Sequence, residues 1–99
     1  VAILTAMSLQ APLRAQTVPD WAVGNIKTIF ADPSDVILEM NTVSPCGGYY
    51  LHIYRSATNF QELVSLMYTA AATGKAVRLW IVSCNGQRAV VSHGQAIFQ

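Results

Sequence analysis

The sequence predicts a mainly β domain with a single helix, its elements in the order β-β-β-α-β-β. Three observations carry that prediction. Five strand-like runs follow the two-residue period of a half-buried strand, the first of them imperfectly. One run instead repeats its apolar residues at helical spacing, and it ends abruptly at Gly74. Turn-forming clusters such as ADPSD, VSPCGG and Asn85-Gly86 separate the strands.

The first predicted strand covers about Val23 to Ala31 (VGNIKTIFA). Its Ile26 and Ile29 stand three apart, so a bulge or sharp bend is expected near Lys27–Thr28. The second, about Asp35 to Thr42, puts Val36, Leu38 and Met40 on one face. The third, about Tyr49 to Arg55, does the same with Tyr49, Leu51 and Ile53. If Val43–Gly48 closes these two into a hairpin, Met40 meets Leu51 and Leu38 meets Ile53 inward. Outward, Asn41 then meets Tyr50, Glu39 meets His52 and Ile37 meets Tyr54. A slip of one residue would mix the two faces, which favours this register.

Asn59 is a preferred helix N-cap, and Glu62 stands three residues on, where a capping-box partner belongs. Phe60, Leu63, Val64, Met67 and Ala71 share one helical face. Gly74 is the expected left-handed residue after the last turn. Predicted strand four runs from about Ala76 to Ser83, with Val77, Leu79 and Ile81 opposed to Arg78, Trp80 and Val82. Asn85-Gly86 signals a tight turn, and strand five follows from about Gln87 to Phe98, bent at Gly94. This is the order of an OB-like five-stranded barrel, whose helix plugs one end between strands three and four. The alternative is an α+β fold with the helix packed on an antiparallel sheet.

Residues 1–16 (VAILTAMSLQAPLRAQ) hold an apolar run followed by small residues, the pattern of a secretory signal peptide truncated at its start. Residues 17–99 then form the single domain, and its location is secreted or periplasmic. Without residues 1–16 the domain carries five basic and five acidic side chains. That balance gives no attraction to a polyphosphate backbone and argues against nucleic acid. No apolar run in the mature domain is long enough for a membrane span. In an exported domain this small, Cys46 and Cys84 read as one disulfide. In the barrel topology their two loops share a rim. Cys46, Cys84, His52 and His93 lack paired-ligand spacing, so no metal and no cofactor is expected.

Glu39 and His52 are the one carboxylate–imidazole pair that this register sets side by side. They could form an acid/base couple, but an exposed cross-strand pair is the favoured reading. No serine sits in a nucleophile motif, and no catalytic residue is assigned. The outward surface is the better candidate: Tyr50, His52 and Tyr54, with Glu39 and Asn41 beside them, offer aromatic planes and hydrogen-bonding groups suited to sugar rings. The same tyrosines could be ordinary strand formers. Arg78 and Trp80 have the composition of a subunit interface.

The run FQELVSLMYTAAATGKAVRLW, with its helix, TGK turn and VRLW strand, resembles the matching stretch of AB5-toxin B subunits, in the subtilase-cytotoxin and pertussis-like branch. A leader peptide and a start near Trp21 are similar as well. The resemblance centres on residues 60–80 and extends elsewhere only through element order. It implies an OB-fold, a bacterial source, a homopentamer, binding to a cell-surface glycan or glycoprotein, and a separate catalytic A subunit. The chain departs from that group in having only two cysteines and shorter segments where a sugar pocket would lie, so no binding residue is transferred. The competing function is a stand-alone exported OB-like module, acting in the envelope or as an inhibitor.

Overall fold

The computed structural model describes residues 17–99; the expected leader, 1–16, lies outside them. The described chain folds as β1 (Asp20–Gly24), β2 (Ile26–Ala31), β3 (Asp35–Met40), β4 (Tyr50–Tyr54), α1 (Phe60–Ala72), β5 (Ala76–Asn85) and β6 (Arg88–Ile97). The mainly β character with one helix is as predicted. The strands form one six-stranded sheet in the order β1-β5-β6-β4-β3-β2.

Two parts of the expected architecture are corrected. The sheet is not a closed five-stranded barrel: β1 and β2 occupy its two ends, β1 pairing with β5 and β2 with β3. The helix follows the fourth strand rather than the third. The extra strand arises because the first predicted strand divides at Asn25. There the backbone N–H of Asn25 donates to Asn41 Oδ1 (2.8 Å), and Asn41 N–H donates to the Asn25 carbonyl (3.0 Å). Thr42 Oγ1 donates to the Val23 carbonyl (2.7 Å). A Cβ on Gly24 would lie 2.6 Å from both Asn41 Oδ1 and Thr42 Oγ1, so a larger residue there would push these two side chains out of their hydrogen bonds. The expected irregularity near Lys27–Thr28 is present as a register shift between Ile26 and Thr28. The sheet is not wholly antiparallel either, since β4 and β6 run parallel.

The β3–β4 register also differs from the predicted one. Leu38 opposes Leu51, Val36 opposes Ile53, Ile37 opposes His52 and Glu39 opposes Tyr50. This is a slip of two residues, so each side chain keeps its face while every partner changes. The cause lies in the corner just described. Asn41 and Thr42 are drawn to the β1–β2 bend, and the hairpin closes instead with Met40 N–H donating to the Tyr49 carbonyl (2.8 Å). The Cys46–Cys84 disulfide forms as predicted, with Cα atoms 5.5 Å apart, and ties the β3–β4 loop to the end of β5.

Val36, Leu38, Met40, Leu51, Ile53, Val77, Leu79 and Ile81 fill the core on the inward face of the sheet. The helix adds Leu63, Val64, Met67 and Ala70, packing mainly on β6 and also touching β5, β4 and β2. Its C-terminus is the one expected. Gly74 takes φ +68°, its N–H donates to the Ala71 carbonyl, and Lys75 N–H donates to the Ala70 carbonyl. Its N-terminus is not. Asn59 makes no side-chain cap; its Nδ2 donates to the Ser92 carbonyl (3.1 Å), anchoring the helix start to β6.

Candidate functional site: a cleft on the outward face

The alternation that buries Leu51 and Ile53 turns Tyr50, His52 and Tyr54 to the other face of β4. Phe30 and Thr28 on β2, and Ile37 and Glu39 on β3, line up with them in cross-strand rows. Thr28, Glu39 and Tyr50 form one row; Phe30, Ile37 and His52 form the next. Val90 of β6 continues the second row beyond His52.

A cleft of about 300 Å³ opens on this face, lined by Phe30, Ile37, Tyr50, His52, Gln87 and Arg88. Phe30 and Tyr50 are both exposed, with rings near parallel at 29° and centroids 6.1 Å apart. Together they form an aromatic wall. Gln87 comes from the β5–β6 turn, where Gly86 takes φ +65°, and Arg88 opens β6. Among the described residues Arg88 forms no ion pair.

The expected Glu39–His52 couple does not form. His52 is buried, and its Nδ1 lies 2.9 Å from Oδ2 of Asp35, itself buried. Because Asp35 opposes Tyr54 and His52 opposes Ile37, this contact is a diagonal one across the β3–β4 pair. The Tyr54 ring stacks near parallel to the imidazole, at 23° and 6.5 Å. Glu39 is held elsewhere: Oε1 accepts from Thr28 Oγ1 (2.5 Å) and Oε2 lies 3.8 Å from Lys27 Nζ.

Of the five predicted ligand residues, Tyr50 and His52 therefore share the cleft. Glu39 and Asn41 line a neighbouring hollow with Lys27, Met40 and Tyr49. Tyr54 supports His52 from the side and lines neither. Sequence reasoning missed Phe30, Asp35, Gln87 and Arg88. Asp35 closes the ADPSD turn and opens predicted strand two, where it shares its parity with Ile37 and Glu39. That parity was the available signal.

A second aromatic group lies on β1, β5 and β6. Trp21 opposes Trp80, which in turn opposes His93. The two indoles meet edge to face at 4.9 Å, and His93 stacks on Trp80 at 6.0 Å. The Arg78 guanidinium sits 4.4 Å from the Trp21 ring centroid. The structure thus places the predicted interface pair, Arg78 and Trp80, in one cluster with Trp21 and His93. Among the described residues no helix is long and apolar enough to cross a membrane, and no group of three His, Cys, Asp or Glu side chains is placed to hold a metal ion. No protein-family profile, curated protein or solved structure matches this chain.

Proposed function

We propose that the chain is an exported, non-enzymatic binding subunit that takes a glycan or glycoprotein on the outward face of β3 and β4. The observation that carries the reading is the cleft beside the stacked Phe30 and Tyr50 rings, with His52, Gln87 and Arg88 as hydrogen-bonding groups. Sugar rings present C–H faces that suit aromatic planes and hydroxyls that need donors and acceptors. At about 300 Å³ the cleft sits at the small end of ligand sites, roughly 300–1,000 Å³, a size suited to one ring.

Reading the six-stranded sheet as a variant of the OB topology favours the same face. Counting β1 and β2, separated only by Asn25, as two arms of one bent strand reduces six strands to five. The order then follows the OB pattern, with one parallel pair, β4 and β6, and the usual ligand face on the strands that line the cleft. The Trp21–Trp80 cluster, with Arg78 stacked on it, is the proposed contact between copies in a homo-oligomer, which would present several clefts together and could carry a catalytic A subunit.

The test is a glycan array probed with the full chain, beside Tyr50→Ala. Binding that is lost in a folded Tyr50→Ala protein supports the proposal. Failure to bind any glycan refutes it.

A further inference from the structure

The floor of the cleft holds a pair that an aromatic sugar platform does not require. His52 and Asp35 stand on the outward faces of their strands, yet each is only 3% exposed. A carboxylate can only accept hydrogen bonds, so the 2.9 Å contact to Asp35 Oδ2 puts the ring proton of neutral His52 on Nδ1. In that neutral tautomer Nε2 keeps its lone pair. Among the described residues it has no hydrogen-bond partner, and none of their buried side-chain nitrogens or oxygens lacks one. His52 lines the cleft, and Nε2 is the ring nitrogen that Asp35 does not engage.

The cleft thus presents a fixed acceptor at its floor, an apolar aromatic wall, and Gln87 and Arg88 at an exposed rim. No serine or cysteine lines it, so the His–Asp pair has no such nucleophile to activate. What an immobilised lone pair in a recess selects is a donor. Arg88 is exposed and solvated, so its charge weighs little in the selection.

We infer, building on the glycan reading above, that the cleft is selective for an uncharged, hydroxyl-bearing ring, one hydroxyl of which donates to Nε2 of His52. Asp35 is the positioning residue that sets the tautomer. A carboxylate brought to the same point would meet a lone pair and be disfavoured.

The experiment uses the full chain with ¹⁵N-labelled histidine. It is titrated with neutral methyl hexopyranosides, their monodeoxy derivatives and the matching uronic acids. The free protein is expected to show the Nδ1–H tautomer, and the Nε2 resonance is expected to move as a neutral pyranoside binds. One monodeoxy derivative should bind about tenfold more weakly, the loss of one hydrogen bond. Asp35→Asn should raise the Nε2–H population and weaken binding by a similar factor, while His52→Gln, which keeps an acceptor, should retain more affinity than His52→Phe.

An Nε2–H tautomer in the free protein overturns the inference, and so does tighter binding of the uronic acids. Saccharide binding that leaves Nε2 unmoved also overturns it while the glycan reading survives. If no saccharide binds up to its solubility limit, both fall.

Discussion

Asp35 and His52 meet through a 2.9 Å contact on the outward side of the sheet, although neither is the other's strand partner. Both are buried, and the two sides of the pair are not equivalent. Removing His52 leaves a carboxylate without its partner, which costs on the order of 3–5 kcal/mol. Removing Asp35 leaves one imidazole nitrogen without its hydrogen-bond partner, with a loss of about 1–3 kcal/mol.

The first prediction is that asymmetry. His52→Ala should destabilise the domain more than Asp35→Ala in urea unfolding, and the double variant should lose less than the two single losses together. Equal single losses that add would show that the two groups do not act as a pair.

The disulfide spans 38 positions and closes the β3–β4 loop against β5. Replacing both Cys46 and Cys84 with alanine should lower the unfolding free energy by about 4 kcal/mol through the entropy gained by the unfolded chain. An unchanged denaturation midpoint at constant slope would contradict this.

Gly94 and Gly74 separate two reasons for having a glycine. A Cβ at Gly94 would lie 2.5 Å from Leu79 Cδ2 and 2.7 Å from the Arg78 carbonyl. Gly94→Ala should therefore cost about 1–3 kcal/mol by overpacking. Trimming Leu79 should not restore the loss, because the carbonyl remains. At Gly74 the space is open and the backbone is left-handed, so Gly74→Ala should cost only about 1–2 kcal/mol. Thermal unfolding of the two variants and of Gly94→Ala/Leu79→Ala checks the comparison.

Under the oligomer proposal, replacing both Arg78 and Trp80 with alanine should turn the assembly into monomers that still fold. Light scattering after size exclusion reads the mass directly. A wild-type chain that is already monomeric at all concentrations removes this cluster as a subunit contact.

How much of this was legible in the sequence follows from what a two-residue period can encode. Leu38, Leu51 and Ile53 were placed on the correct face because alternation fixes parity. Alternation is blind to a slip of two, however, and so Glu39 was paired with His52 instead of Tyr50. The deciding contacts were polar and distant in sequence: Asn41 with Asn25, and Thr42 with Val23. The same contacts split one expected strand into β1 and β2. The helix shows the same division. Its end at Gly74 is a local backbone requirement, whereas Asn59 exchanged a local cap for a bond to Ser92, 33 residues away. At the candidate site the β4 aromatics were visible, but Phe30 and Arg88 arrive from strands whose neighbours only the fold reveals.

Glutamate 39 provides a further check on the register. Glu39→Gln should leave the His52 ring nitrogen resonances unchanged, since Glu39 bonds to Thr28 and not to the imidazole. A marked change would restore the pairing that the structure replaces.

The most direct measurement of the central claim is aromatic ¹H–¹³C mapping during titration with a glycan drawn from the array. The account predicts that the Phe30, Tyr50 and His52 ring signals shift together and saturate at one affinity. Shifts confined to Trp21 and Trp80, or no shifts at all, would contradict it.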